Sequence, residues 1–243
     1  MDDSTQGSTT RARRRQGPRK PTLQDVAQHA GVSTATVSRC LSHPEKVKPR
    51  RRARVEASIA ALAYTPHGPA RALATQRSRT IGIIVPTLDI ASFASGVQAL
   101  QESLFGAGHT PLLAISNYDL ALELHHARSL VHHGVDGIVL VGAEHDAELH
   151  ALLRRNRIPF VEIWTYASAG PHPCIGFDNR AAMRRITEHV LDRGHRRVAM
   201  ILGGAEHTND RSRERLAGFR DAFDALGLTP PRERVLEVPY GIA

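Results

Sequence analysis

Four histidines lie close together in the segment HHARSLVHH, namely His125, His126, His132 and His133. Imidazole nitrogens are common metal ligands, and residues seven positions apart share a helix face, so a metal-binding cluster is one interpretation. No partner carboxylate or cysteine stands at ligand spacing, which favours a solvated helix face. The sequence therefore predicts no metal site.

Motifs of catalysis are also missing from the sequence. It contains no P-loop, nucleophile elbow, G-x-G-x-x-G or HExxH motif, and we expect no catalytic residue, no enzymatic activity and no cofactor. The two cysteines, Cys40 and Cys174, lie far apart, which argues against a disulfide framework or a cysteine zinc site. There is no run of about eighteen apolar residues and no apolar signal segment. We therefore expect a cytoplasmic chain with no membrane partner.

The positive charge is concentrated in the first third of the chain. Of 243 residues with a net charge of +8, the first eighty hold sixteen Lys or Arg against five Asp or Glu. This imbalance predicts a polyanionic partner, the alternative being a merely solubilising basic tail. Residues 1–20 are polar and are predicted to be disordered, with six basic side chains in loose contact with phosphates: Arg11, Arg13, Arg14, Arg15, Arg19 and Lys20.

Three short helices are predicted after residue 20. Thr22 can cap the first, with Asp25 completing a shortened capping box, and Gly31 stops it. Ser33 supplies the second cap, and Pro49 stands at the favoured first position of the third helix. The first helix has an apolar stripe of Leu23, Val26, Ala27 and Ala30. Three helices in about forty residues, two of them joined by a tight glycine turn, indicate a helix-turn-helix.

From residue 81 the pattern changes to alternating strands and helices. The runs IGIIVP, PLLAIS, GIVLV and FVEIW alternate with helical stretches, which predicts βαβ units and a parallel sheet. A second series is predicted to begin near CIGF and to continue through RVAMIL and VLEVPY. The fold class is thus an α-helical helix-turn-helix unit followed by an α/β domain with parallel strands.

A ligand crevice is expected at the carboxyl ends of these parallel strands. Asp89, Ser92 and Phe93 follow the first strand, and Trp164 and Thr165 stand where FVEIW ends. Trp164 is the only tryptophan, and its indole could stack on a ligand. For Trp164 and Phe93, a role in the core is the alternative.

The segment PTLQDVAQHAGVSTATVSRCL, residues 21–41, resembles the opening of the LacI family of bacterial transcription regulators. The resemblance continues through AYTPHGPARALA, TIGIIVP, GVDGIVLV, IPFVEIW, GFDNRAA, RGHRRVAMI and RLAGF. VEIW followed by GFDN is most similar to the gluconate-utilisation repressor branch. The family implies a headpiece at 21–68 and a hinge helix and linker at 69–80. It also implies an effector-binding and dimerisation domain at 81–243, which would be two-lobed and like the periplasmic sugar-binding proteins. The first lobe would span about 81–164 and the second about 165–243.

The resemblance implies base-reading positions in the second helix at Thr34, Ala35 and Arg39. Arg39 can donate two hydrogen bonds to O6 and N7 of guanine, with a phosphate contact as the alternative. Thr34 can reach a base edge or a thymine methyl, whereas Ala35 offers only apolar contact. Further DNA contacts are expected from hydroxyl residues that can also cap helices: Thr22, Ser33, Thr36 and Ser38.

The segment PARALA, residues 69–74, resembles the family's hinge helix, with Leu73 at the position wedged into the central base step. Ala70 and Arg71 are the other expected DNA contacts here. So short a helix is unstable alone, which predicts a hinge that is helical only on DNA. A plain linker is the alternative, and Gly68 departs from the larger polar residue common in the family.

In the second lobe, Arg215 of RLAGF matches the family arginine that grips effector hydroxyls or a carboxylate, with a surface salt bridge as the alternative. Asp178 and Asn179 resemble the motif that opens this lobe, although they could simply cap its first helix.

The resemblance implies a repressor of carbohydrate or sugar-acid metabolism. It would bind a pseudo-palindromic operator in double-stranded DNA as a homodimer, under control of a sugar or sugar-acid effector. The alternative is a sugar-binding module of the same fold without regulatory switching. We also expect the second lobe to be incomplete, so that the headpiece binds DNA weakly and effector does not release it.

Overall fold

The computed structural model describes residues 19–65, 77–166, 170–203, 209–228 and 234–238. The chain divides into two compact units, Met1–Thr75 and Gln76–Ala243, which are treated separately below. The predicted hinge, with Ala70, Arg71 and Leu73, lies outside the described residues, as do Gly68 and all but the last two residues of the predicted basic tail.

The first unit contains the three predicted helices. They are α1 Leu23–Ala30, α2 Thr34–Ser42 and α3 Pro49–Ala61, with a single 3-10 turn at Pro44–Lys46 between the last two. Their apolar faces meet in one core, whose buried members are Val26, Ala27, Ala30, Val37, Cys40 and Val55. The predicted stripe on the first helix therefore forms the centre of a small three-helix unit.

Local capping signals set the ends of these helices as predicted. The backbone N of Thr22 donates to Oδ2 of Asp25 at 2.7 Å, and Oγ1 of Thr22 accepts from the backbone N of Asp25 at 3.3 Å. Gly31 ends α1 with φ +58°, a left-handed conformation that glycine adopts without steric cost. Ser33 caps α2 by accepting from the backbone N of Thr36 at 3.2 Å.

The second unit begins with a five-stranded parallel sheet in the order β2-β1-β3-β4-β5. The described elements are β1 Thr80–Val85, α4 Ala91–Gly106, β2 Thr110–Ile115, α5 Leu120–His132, β3 Gly137–Val141, α6 Ala147–Arg155, β4 Phe160–Ile163 and β5 Cys174–Ile175. Each of the first four strands coincides with one of the predicted apolar runs to within a residue at its start, which confirms the parallel α/β prediction.

The predicted start of the second series at CIGF is wrong. Cys174 and Ile175 form β5, which pairs in parallel with β4 through Glu162↔Cys174 and Ile163↔Ile175. This strand therefore extends the first sheet. Its pairing satisfies backbone groups that would otherwise leave β4 as an open edge.

A separate two-stranded parallel sheet follows, formed by β6 Met200–Gly203 and β7 Val235–Val238. Two helices pack with it, α7 Asn179–Asp192 and α8 Asp210–Asp224. The buried core of this region consists of Leu191, Met200, Leu202, Leu216, Phe219, Ala222 and Phe223.

Both faces of the first sheet are covered by apolar side chains. Ile84 and Leu140 face a cluster built with α5 and α6, whereas Ile83 and Val85 face α4 and the partly buried Trp164. Alternate strand residues thus serve opposite faces, which explains why these strands are almost continuously apolar. No helix among the described residues is both long and apolar enough to cross a membrane.

Candidate functional site

Helix α2 presents an exposed face that contains the three predicted base-reading residues. Thr34, Ala35 and Arg39 are all exposed, and Ala35 and Arg39 lie one helical turn apart. Within residues 19–65 the Arg39 side chain makes no ion pair or side-chain hydrogen bond. Among these residues nothing competes for its guanidinium, which can donate to an external group.

The hydroxyl residues of this region have partners within the headpiece. Oγ1 of Thr22 lies 2.7 Å from Oδ2 of Asp25, and the hydroxyls of Ser33 and Thr36 lie 3.0 Å apart. Ser38 is half-buried. Helix capping thus occupies Thr22 and Ser33, while phosphate contacts by these hydroxyls stay a prediction.

Helix α3 begins with three consecutive arginines that the motif analysis did not single out. Arg50, Arg51 and Arg52 are exposed in its first turn, which contains no acidic residue. Cations at a helix N-terminus oppose the helix dipole and do not stabilise the helix. Arg52 forms an ion pair with Glu56 one turn later, at 3.2 Å. For Arg50 and Arg51, an external polyanion explains the position better than local stability does.

A cavity of about 80 Å³ opens in the second unit, where strand ends of the first sheet meet the start of α8. The carboxyl ends of β1, β2 and β3 provide Pro86, Ser116 and Val141, and the helix end provides Asn209 and Asp210. The remaining lining residues are Tyr118, Asp119, Leu120, Glu123, Glu144 and Arg211. This arrangement is the crevice expected of an open parallel sheet, and we call it the interlobe cleft.

Direct contacts hold the two sides of the interlobe cleft together. Oδ2 of Asp210 accepts from the backbone N of Ala143 at 2.7 Å, and its Oδ1 accepts from Arg211 at 2.8 Å. Arg213 also forms an ion pair with Glu144. The contacts of Asp210 with Ala143 and of Arg213 with Glu144 join α8 to the loop after β3, so movement of α8 is coupled to that loop.

The residues predicted after the first strand do not line the interlobe cleft. Asp89 and Ser92 are exposed, and their role in effector binding stays a prediction. Phe93 is buried and packs edge-on against Trp164, with ring centroids 4.9 Å apart. This packing favours the core interpretation for Phe93. Thr165 is half-buried, and its backbone lies against Gly176.

A hydrogen-bonded chain joins Arg215 to the end of β4. Nε of Arg215 donates to Oδ1 of Asn179 at 2.9 Å, and Nδ2 of Asn179 donates to the carbonyl oxygen of Trp164 at 3.3 Å. The described partner of Arg215 is therefore an amide and not the carboxylate of a surface salt bridge. Asp178 caps α7 by accepting from the backbone N of Ala181 at 2.8 Å.

A buried cluster of histidine and glutamate side chains lies beside the interlobe cleft. Nδ1 of His145 lies 2.9 Å from Oε2 of Glu123, and its Nε2 lies 3.1 Å from the carbonyl oxygen of Gly142. Nε2 of His150 lies 3.3 Å from Oε1 of Glu162. The histidines of this cluster are His145 and His150, and none of the four histidines of HHARSLVHH belongs to it. The sequence feature that could have indicated this cluster is Glu162, a charged residue inside the apolar run FVEIW.

Burial and charge shift the pKa values in this cluster in different directions. Burial acts to lower the pKa of His145, but the hydrogen bond and charge of Glu123 outweigh it and the net shift is upward. Burial lowers the pKa of His150 to about 4, with the charges of His145 and His172 acting in the same direction. Burial raises the pKa of Glu162 despite the opposing histidines.

Together these features define a class of protein: a helix-turn-helix unit with an exposed arginine, joined to an α/β unit with an interlobe cleft. Residues 22–67 match the family model described as bacterial regulatory proteins, lacI family. Residues 78–238 match the model for periplasmic binding proteins and the sugar binding domain of the LacI family. The chain belongs to the LacI family.

Individual relatives match most of this chain. The HTH-type transcriptional regulator GntR of Escherichia coli is 31% identical over 212 residues, covering 87% of this chain and 63% of the relative. The HTH-type transcriptional repressor PurR of Photobacterium profundum is 31% identical over 210 residues, covering 86% and 62%. A solved LacI-family regulator from Silicibacter pomeroyi is 27% identical with a TM-score of 0.76, covering 92% and 66%. The chain thus spans slightly under two thirds of these relatives.

Proposed function

We propose that this chain is a sequence-specific, DNA-binding transcriptional repressor that acts in the cytoplasm under the control of a small-molecule effector. The observation that carries the proposal is the exposed Thr34, Ala35 and Arg39 face of α2, where Arg39 has no partner within residues 19–65. The second helix of a helix-turn-helix enters the major groove, where an arginine reads guanine.

The charge of the headpiece supports a DNA partner. Arg50 and Arg51 stand exposed in the first turn of α3, where a positive charge opposes the helix dipole. Phosphates of the DNA backbone would bind these arginines and fix the register of α2 on the bases. A homodimer with two such headpieces reads a pseudo-palindromic operator.

The proposed effector is a sugar or a sugar acid held in the interlobe cleft. The matched family model describes a sugar binding domain. Arg215 and Trp164 do not line the cavity itself, and Asn179 connects them by hydrogen bonds. The cavity of about 80 Å³ is well below the roughly 300–1,000 Å³ of typical small-molecule sites. In this proposal the bound sugar widens the cleft, and such a difference between two states is what allows an effector to shift a binding equilibrium.

The DNA-binding proposal is tested by selecting bound fragments from a random duplex library and measuring their affinity by fluorescence anisotropy at several salt concentrations. A repressor enriches a two-fold symmetric sequence and binds it at least about 10³-fold tighter than random DNA. Equal affinity for all sequences would remove the operator from the proposal and leave a non-specific basic domain.

The effector proposal is tested by adding sugars and sugar acids to the chain and to its complex with the selected DNA. Calorimetric binding that is lost in Arg215→Ala supports the effector site. Release of the DNA supports effector control, and it would contradict the expectation that effector does not release this chain from DNA. Sugar binding without any change in DNA affinity would favour the alternative, a sugar-binding module that does not switch.

A further inference from the structure

We propose that His145, His150 and Glu162 form a binding site for one divalent transition metal ion of the zinc type beside the interlobe cleft. Their donor atoms all lie within 4.8 Å of one another. Oε1 of Glu162 lies 3.3 Å from Nε2 of His150 and 4.0 Å from Nε2 of His145. Tetrahedral ligands about 2.0–2.2 Å from zinc stand about 3.4 Å apart, so small side-chain movements complete the site.

The surroundings of His145 match those of a metal-bound histidine. Its Nδ1 lies 2.9 Å from Oε2 of Glu123, and both side chains are almost completely buried. A carboxylate on one ring nitrogen fixes the tautomer and directs the other nitrogen at the metal. Nε2 of His145 now lies 3.1 Å from the carbonyl oxygen of Gly142, so metal binding replaces that hydrogen bond and releases the proton it uses.

Charge balance gives a second reason for a cation. Glu123 and Glu162 are two carboxyl groups with side chains 7% and 6% exposed, and both face His145. Burying two carboxylates is costly unless they are paired or bind a metal. A dication held by Glu162 and oriented through Glu123 offsets both charges. Two imidazoles with one carboxylate favour zinc, cobalt or nickel over magnesium or calcium.

The position of the cluster relates the ion to the interlobe cleft. His145 lies in the loop after β3, His150 on α6 and Glu162 on β4. Glu123 lines the cleft cavity and contacts His145 directly. Three protein ligands leave at least one coordination position open for water or another oxygen ligand. The site lies wholly within the second unit and does not depend on the proposed DNA binding.

The experiment is a titration of the chelator-treated full chain with Co²⁺, followed by competition with Zn²⁺. We expect one equivalent of Co²⁺ to give the visible absorption bands of a low-coordinate site, and Zn²⁺ to abolish them. His150→Gln should weaken binding by more than the roughly 10–100-fold that loss of an outer-shell partner costs. Glu123→Gln should fall within that range. The matched control is His132→Gln, an exposed histidine on α5 that should leave binding unchanged.

A second variant, His150→Cys, tests the metal site if His150→Gln folds poorly. A thiolate at this position retains a ligand and adds sulfur-to-cobalt charge-transfer absorption, which a merely structural histidine would not produce. Circular dichroism establishes that each variant is folded. The proposal is overturned if the chain binds no Co²⁺ or Zn²⁺, or if His150→Gln binds the metal as tightly as the unmodified chain. It is also overturned if only His132→Gln loses metal binding, or if folded His150→Cys lacks the sulfur signal.

Discussion

Gly96 on α4 gives Trp164 the space in which its indole ring lies. A Cβ atom added at Gly96 would stand 2.5 Å from Cη2 and 2.8 Å from Cζ2 of Trp164. Phe93, one turn earlier on the same helix, contacts the indole edge-on. Trp164 itself has φ +61°, a left-handed backbone conformation that is unusual for a residue other than glycine. The place where β4 ends is thus fixed by α4 as well as by the sheet.

Gly96→Ala should destabilise the second unit by about 1–3 kcal/mol, because the new methyl group forces the indole out of its packing. Trp164 is the only tryptophan, so its fluorescence reports both the displacement and the unfolding transition. Denaturant titrations followed by tryptophan emission provide the measurement.

The matched control for this variant is Gly106→Ala at the end of the same helix, where an added Cβ meets nothing within 4 Å. Its free energy of unfolding should be unchanged or slightly higher. Equal stability and identical emission in both variants would contradict the role of Gly96.

Arg39→Ala should weaken binding to the selected operator by about 1–3 kcal/mol and relax the preference at one base pair, since a bidentate contact to guanine would be lost. Fluorescence anisotropy on the operator and on its single-base variants measures both effects. Arg50→Ala is the control, because a phosphate contact should weaken all sequences alike and reduce the salt slope by about 1. If Arg39→Ala also weakened binding to all sequences alike and reduced the salt slope, Arg39 would contact a phosphate and not a base.

Gly218→Ala should destabilise the contact between α7 and α8. A Cβ at Gly218 would overlap the carbonyl oxygen of Arg180 and lie 3.0 Å from the backbone N of Arg184. Because backbone atoms cannot rotate away as a side chain can, the helices must separate, at a cost of about 1–3 kcal/mol or more. Thermal unfolding measures the loss, and an unchanged midpoint would show that the helices are not packed this closely.

The free energy of unfolding of the second unit should depend on pH in the acid range because of Asp221 on α8. Its hydrogen bonds from Arg180, at 2.6 and 2.9 Å, lower the pKa of the carboxyl group below the ordinary value of 3.8. A lowered pKa in the folded state adds stability above the ordinary pKa, and this contribution is lost as the pH falls through the folded value.

Asp221→Asn should therefore be less stable than the unmodified chain near pH 7, and the difference should shrink as the medium becomes acidic. Arg180 is exposed and Asp221 is partly exposed, so the effect should be small and weaker in high salt. Urea titrations at a series of pH values measure it. If the difference in stability between Asp221→Asn and the unmodified chain did not change with pH, titration of Asp221 would not be its source.

The headpiece was largely predictable because its signals are local. Thr22, Gly31, Ser33 and Pro49 each act on their own helix, and the structure places each at the predicted helix end. The apolar runs of β1 and β3 were predictable for a related reason, since both faces of these strands are covered.

The remaining features depend on contacts between distant segments. The two residues of β5 became a strand only by pairing with β4, so no periodicity could assign them to the first sheet. His145 and His150 meet Glu162 because α6 packs beside β4, and their spacing along the chain matches no metal motif. Asn209 and Asp210 enter the interlobe cleft through the placement of α8, which the sequence pattern does not specify.

The all-parallel pairing of the first sheet determines the order in which the growing chain can fold on the ribosome. The headpiece contacts lie within one short stretch, so α1, α2 and α3 can assemble soon after they emerge. Strand β1 must wait, because Ile81 pairs with Gly137 and two helices and β2 are synthesised between them. During that interval the apolar segment IGIIV has no neighbour on its β3 side and is a natural substrate for chaperones. A nascent chain would therefore carry a finished headpiece well before its cleft exists.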